Sequence, residues 1–271
     1  MNAIERLGTI RRIPTDLWLR IAPVLGEEKR PGTRGRPPVP FRKVMDGILY
    51  VLRTGCQWKA LPREYGSGST CHRKFQQRVR EGVFERVWAR LLEEYDDVRG
   101  IGWRWQSLDS SSVKAPLGGK RTGHNPTDRS KLGTKRHVLT DQRGTPLSAV
   151  VTGANTHDMK AALETLDGVV VQRARPRPYH PQHLCLDKGY DFPAIEAGVI
   201  ARGYVPHMRH RGELERPART YRPKRWVVER SASWLNRFRK LLIRWEKKAR
   251  NYLGLVQLAC SIMVYRRIIL G

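Results

Sequence analysis

The chain has 271 residues and carries 52 Lys plus Arg against 25 Asp plus Glu, a net charge of +27. A surplus of this size repels basic surfaces and draws polyanions in along a long-range field, so nucleic acid is the expected partner and an acidic membrane the rival. The membrane reading lacks an anchor, because the longest apolar stretches, Ile195 to Ile200 and Val256 to Val264, are short and broken by polar residues. Met1 to Arg6 has no apolar signal segment, so a cytoplasmic, nucleoid-associated protein is expected. Cys56, Cys71, Cys185 and Cys260 are scattered without a C-x-x-C spacing and read as reduced, buried thiols. His180 with His183, and His207 with His210, read as loop residues rather than zinc ligands.

In chain order, the spacing of Leu17, Trp18, Ile21, Val24 and Leu25 predicts a helix over 15–25, capped by Thr15 or Asp16. Arg30 to Pro38 alternates Arg with Gly and Pro and cannot be regular structure. It reads equally as a linker or as a basic arm lying in a DNA groove, with Arg34 and Arg36 as contacts. A helix from Phe41 to Leu52, closed at Thr54-Gly55, is followed by a second from Ser69 or Thr70 through Arg80. Such a pair resembles a helix-turn-helix unit whose second helix offers Arg73, Lys74 and Arg78 to a major groove. A further amphipathic stretch covers Phe84 to Leu92.

Around Arg99 to Gly102 the pattern turns strand-like. Strands are predicted at Trp103–Ser110, Lys135–Thr140, Leu147–Thr152, His183–Leu186 and Tyr204–Met208, with helices over 158–168 and Phe192–Ala201. This succession predicts an α/β fold, a mixed sheet flanked by helices behind a small all-helical region. The expected division is residues 1–98 for the helical DNA-binding region and 99–271 for the second domain.

Three carboxylates stand where a divalent cation could reach them. Asp109 and Asp187 each follow an apolar run, at the expected ends of strands, and magnesium prefers such hard oxygen ligands. Ser110, Ser111 and Ser112 read as turn formers beside Asp109. Glu229 lies on a predicted helix, where Arg225, Glu229, Ser233, Asn236 and Lys240 share one direction and Val227, Trp234, Phe238, Leu241 and Trp245 the other. A phosphate loop is excluded, since His124-Asn125 follows Gly118 and Gly123 where Lys-Ser/Thr is needed.

Five ordered blocks carry a resemblance: Ser107 to Lys114, Lys131 to His137, Gly153 to Asp158, Leu186 to Asp191 and Val228 to Arg230. Together they resemble the DDE transposases of bacterial insertion sequences, nearest the insertion sequence five group in the four/five superfamily. Thr54 to Pro62 resembles that group's helical DNA-binding region. The resemblance implies a ribonuclease H-like catalytic domain with Asp109, Asp187 and Glu229 as catalytic and metal-binding residues. It further implies two magnesium ions, with manganese able to substitute, and duplex DNA as partner, both transposon terminal inverted repeats and target DNA. A homodimer would form when two ends are synapsed. Expected DNA contacts are Lys120, Arg121, Lys135, Arg225, Arg230, Asn236, Arg237 and Lys240, with Arg237 and Lys240 both candidates to hold the end phosphate. A transposase-derived regulator without cutting activity, or a nuclease without strand transfer, are the alternatives.

Overall fold

The computed structural model describes residues 12–26, 39–208, 210 and 226–270. Arg34, Arg36 and Arg225 therefore lie outside the described residues. The helical part comprises α1 (Thr15–Leu25), α2 (Phe41–Thr54), α3 (Gly68–Arg80) and α4 (Val83–Arg99). In α2 the apolar positions Val44, Ile48, Val51 and Leu52 are all buried. Gly55 ends this helix in the left-handed region, φ 73°, and its N–H donates to the Val51 carbonyl at 2.9 Å. A side chain there would strain the backbone and crowd Arg239, 3.2 Å from the position of a Cβ. The loop from Gly55 to α3 is folded into two 3-10 turns, Trp58–Ala60 and Arg63–Tyr65.

Six strands follow: β1 (Trp105–Lys114), β2 (Gly123–His124), β3 (Leu132–Asp141), β4 (Pro146–Gly153), β5 (Gln182–Cys185) and β6 (Tyr204–His207). β1 pairs antiparallel with β3, from Gln106 opposite Asp141 to Lys114 opposite Gly133, and β2 and β4 share the far edge of β3. On its other side β1 pairs parallel with β5, and β5 parallel with β6. Antiparallel strands at one edge and parallel strands at the other make a mixed sheet of ribonuclease H-like order, with β1 at the centre. The turn at Asp141 is fixed by its carboxylate, which accepts from the amides of Arg143 (2.9 Å) and Thr145 (2.8 Å) through Oδ1 and of Gly102 (3.1 Å) through Oδ2. One expectation fails here. Ser110, Ser111 and Ser112 are not a turn, because β3 is long enough to pair with β1 as far as Lys114.

The remaining helices are α5 (Met159–Asp167), α6 (Pro193–Ala201), α7 (Trp226–Asn236), α8 (Arg239–Leu242) and α9 (Ala249–Leu270). Neighbouring β3 residues point to opposite faces, and Arg136 bonds to Asn236 of α7 while Lys135 bonds to Asp158, just before α5. The two helices thus cover opposite faces of the sheet, α9 joining α7 through contact of Arg136 with Tyr252. α9 is long and apolar enough to cross a membrane by length and composition, which the broken run Val256–Val264 did not suggest. Its Val256, Leu258, Ala259, Cys260 and Val264 are nevertheless buried, and it packs against α4 as a core helix. The predicted helix through Lys240 and Trp245 is also interrupted: α7 stops at Asn236, and the chain tightens into i−3 bonds from Arg237 to Trp234 and from Phe238 to Leu235, both 3.1 Å, before α8.

Candidate active site

Ser107 and Cys185 are the last paired residues of β1 and β5. Asp109 and Asp187 each lie two residues further on; alternation turns Asp109 toward the face that carries α7, while Asp187 follows the end of β5. Asp109 is not at a strand end as expected; it sits inside β1, opposite Val138. Yet β5 has ended beside it, which opens that side of the strand. Local amides hold both acids: Asp109 Oδ1 accepts from Ser110 N at 2.7 Å, and Asp187 Oδ1 from Gly189 N at 2.7 Å. Gly189 is a close fit, since a Cβ there would stand 2.8 Å from Asp187 Oδ1 and 3.8 Å from Asp158 Oδ2.

Asp158 is a fourth carboxylate that sequence reasoning did not single out. It approaches from the α5 face, where Oδ1 accepts from Ser110 Oγ and from Lys135 Nζ, each at 2.9 Å. Its presence in the block Gly153 to Asp158 was the available signal. Tyr190, just beyond Asp187, is fully buried. Burial first, then the negative charges of Asp158, Asp109 and Asp187, hold its proton well above the usual tyrosine range. Its hydroxyl has no hydrogen-bond partner among the described residues. An orphaned buried hydroxyl under the negative charge of three carboxylates suits a site completed by a hydrated cation, which carries water and prefers oxygen donors.

Glu229 is exposed on α7, whose Val227, Val228, Ser231 and Leu235 are buried, and Ser231 Oγ donates to the Gly144 carbonyl at 2.7 Å. The helix packs on β1 and β3, on the face toward which Asp109 points. Among the described residues no three His, Cys, Asp or Glu side chains form a ready-made metal cage. The register thus sets Asp109 and Asp187 two residues beyond the paired Ser107 and Cys185, and Glu229 comes from α7, which packs on β1 and β3.

The expected DNA contacts divide into free and engaged side chains. Arg73, Lys120 and Arg237 are exposed. Arg121 is exposed too, but its guanidinium donates to the Val151 carbonyl at 2.9 Å. In α3, Lys74 bonds to Gln77 at 3.3 Å, and Arg78 lies 4.3 Å over the Phe41 ring while bonding to Glu81 at 3.0 Å. Lys135 is engaged by Asp158 and by the Thr156 carbonyl, both 2.9 Å. Arg230 departs from expectation: it is clamped between the rings of Trp226 (4.8 Å) and Trp234 (4.9 Å) and donates to the Arg143 carbonyl at 2.7 Å. Asn236 is tied to the sheet through Arg136 at 2.8 Å. Lys240 departs furthest, because the break after α7 turns it inward. Its ammonium meets Glu246 at 3.4 Å with both side chains only 5 % exposed, so it offers nothing to a phosphate. The histidines read as loop residues also meet: His183 and His207, on adjacent strands, stand 2.9 Å apart beneath Trp105.

Comparison with known proteins agrees with this architecture. Residues 13–88 match the family described as a putative transposase of the IS4/5 family, and residues 106–264 match the transposase DDE domain. The putative transposase for insertion sequence element IS402 of Burkholderia cepacia is 36 % identical over 151 residues, 55 % of this chain and 70 % of that protein. An uncharacterized 16.2 kDa protein of insertion element IS402, from the same organism, is 37 % identical over 118 residues, 42 % of this chain and 80 % of that one. Among solved structures, the Mos1 transposase paired-end complex with left transposon end covers 88 % of this chain and 82 % of its own at 14 % identity, with a TM-score of 0.29, too low to carry an argument. With a DDE domain model covering residues 106–264, more than half of its length, the chain belongs to the insertion-sequence transposases of the DDE type.

Proposed function

We propose that this transposase binds the terminal inverted repeats of its element, cuts at their ends and joins them to target DNA, using divalent metal ions held by Asp109, Asp187 and Glu229. The observation that supports the reading is the register that sets Asp109 and Asp187 each two residues beyond the paired Ser107 and Cys185, with both charges felt by the buried Tyr190. Magnesium or manganese, when bound as a pair, would polarise the scissile phosphate and stabilise the attacking and leaving oxygens. The chain's own contribution is positional. The amides of Ser110 and Gly189 fix one oxygen of each aspartate, and Asp158 fixes Lys135 beside them. Glu229 would complete the site from α7, an exposed helix position rather than a strand. Residues up to 98 would supply end recognition and residues 99–271 the chemistry. The family resemblance supports a homodimer on two synapsed ends.

The experiment is incubation of the purified protein with labelled terminal-repeat DNA and magnesium or manganese. Cleavage followed by strand transfer, both abolished in Asp109→Ala and Asp187→Ala, is the expected outcome. Binding without cleavage in every metal would leave a DNA-binding regulator instead, and cleavage without joining a nuclease.

A further inference from the structure

A second basic site lies away from the carboxylates. Between α2, the end of α7 and α9 there is a cleft of about 280 Å³ lined by four arginines, Arg53, Arg237, Arg266 and Arg267. Its floor is apolar, formed by Trp234, Phe238, Ile262 and Met263, and no Asp or Glu lines it among the described residues. Arg53 is the informative member. It is 91 % buried, being 9 % exposed, and its guanidinium lies 4.2 Å over the Phe238 ring. Its Nε and Nη2 find no hydrogen-bond partner among the described residues. Burial and the charge of Arg266 together lower its pKa to about 10, so the guanidinium is under electrostatic stress as it stands. A buried cation without a carboxylate is unfavourable. Arg237 and Arg266 add positive charge to the same cleft, while Arg267 also lies over the Trp234 ring at 4.9 Å and donates to the Arg143 carbonyl.

We infer that this cleft binds a phosphate of the DNA backbone, held by the charge of Arg53 and its neighbouring arginines, with the apolar floor accepting the adjoining sugar. Guanidinium presents its donors in a fork that matches phosphate oxygens. Arg53 comes from the helical part of the chain, while Arg237, Arg266 and Arg267 follow the catalytic sheet. One phosphate would therefore bridge the two parts and fix α7, the helix of Glu229, to its place on the DNA. The inference rests on the reading of the protein as a DNA-binding transposase, not on its cutting activity.

The test is equilibrium binding of a short labelled DNA duplex in EDTA, for wild type, Arg53→Met and Arg237→Gln, across about 50–200 mM salt. Because no metal is present, failure of metal-dependent cleavage would leave this result untouched. Each variant should bind several-fold more weakly, with the slope of log affinity against log salt reduced by about 0.9, one phosphate contact. Arg53→Met without DNA should melt at or above the wild-type temperature, since it removes a buried unpaired cation. Unchanged affinity and slope in both variants would overturn the inference, and is the result expected if the cleft instead takes an acidic protein segment. A lower melting temperature for Arg53→Met with unaltered DNA binding would also overturn it, marking Arg53 as packing.

Discussion

Substituting Lys240 separates a buried structural cation from a DNA contact. Lys240→Met would leave the Glu246 carboxylate, 5 % exposed, without its 3.4 Å partner. The carboxylate can escape by taking a proton, which at pH 7 costs about 1.36 kcal/mol for each unit above an unfolded pKa of about 4.3, or about 3.7 kcal/mol. Stripping one partner from a buried pair costs a similar ~3–5 kcal/mol. At ~2–4 °C per kcal/mol, a loss of about 3.7 kcal/mol should lower melting by roughly 7–15 °C. The sign follows from burial, which raises the Glu246 pKa above its unfolded value. Its protonated form favours folding, a contribution present below the unfolded pKa and lost as pH rises through the folded one. The deficit of Lys240→Met should therefore shrink to about 1 kcal/mol at pH 5, and Lys240→Met/Glu246→Gln should recover most of it at pH 7. Calorimetry at the two pH values measures both. A variant that melts within about 1 °C of wild type but loses DNA affinity would show that Lys240 faces DNA.

Three other outcomes follow from named contacts. Gly189→Ala places a methyl 2.8 Å from Asp187 Oδ1; displacement of that carboxylate should lower the cleavage rate by about 10²-fold while DNA affinity stays at the wild-type level. His137 is fully buried, with Nε2 2.8 Å from Thr152 Oγ1, and burial lowers its pKa to about 4. The unfolded chain takes up that proton first, so stability should fall as pH drops from about 6.5 toward 4 by roughly 3 kcal/mol, a loss that His137→Gln should remove from the denaturation profile. Cys71, Cys185 and Cys260 are buried and Cys56 is half-buried, so a thiol reagent should label the native protein at Cys56 alone, as mass spectrometry of the digested product would show; rapid labelling of Cys260 would contradict the core position of α9.

Local pattern carried much of the fold. The spacing of Val44, Ile48, Val51 and Leu52 with Gly55 beyond them marked α2 and its end, and the paired strands flanking Asp141 to Gly144 appeared where a turn sequence divides two β-rich runs. Asp109 and Asp187 were singled out because each follows a short apolar run, although Asp109 proves to lie inside β1. What pattern could not supply was tertiary. The apolar period through Phe238 and Leu241 continues across the break between α7 and α8, so periodicity extended one helix too far, and Lys240 went with it; only Glu246, further along, reveals that this lysine is inside. The polar residues that seemed to break Val256–Val264 are satisfied within the fold, Gln257 by Glu85 at 2.9 Å and Ser261 by the Gln257 carbonyl at 2.9 Å. Asp158 gains its place from Ser110 and Lys135, which are 48 and 23 residues away.

Glu229 is the acid on which the metal site turns, because it comes from α7 while Asp109 lies in β1 and Asp187 follows β5. Anomalous diffraction from manganese-soaked crystals of the protein bound to terminal-repeat DNA reads its position directly. The account predicts two metal peaks about 3.5–4 Å apart, with carboxylate oxygens of Asp109, Asp187 and Glu229 around them. Peaks held by Asp109, Asp187 and Asp158 while Glu229 remains in solvent would contradict it.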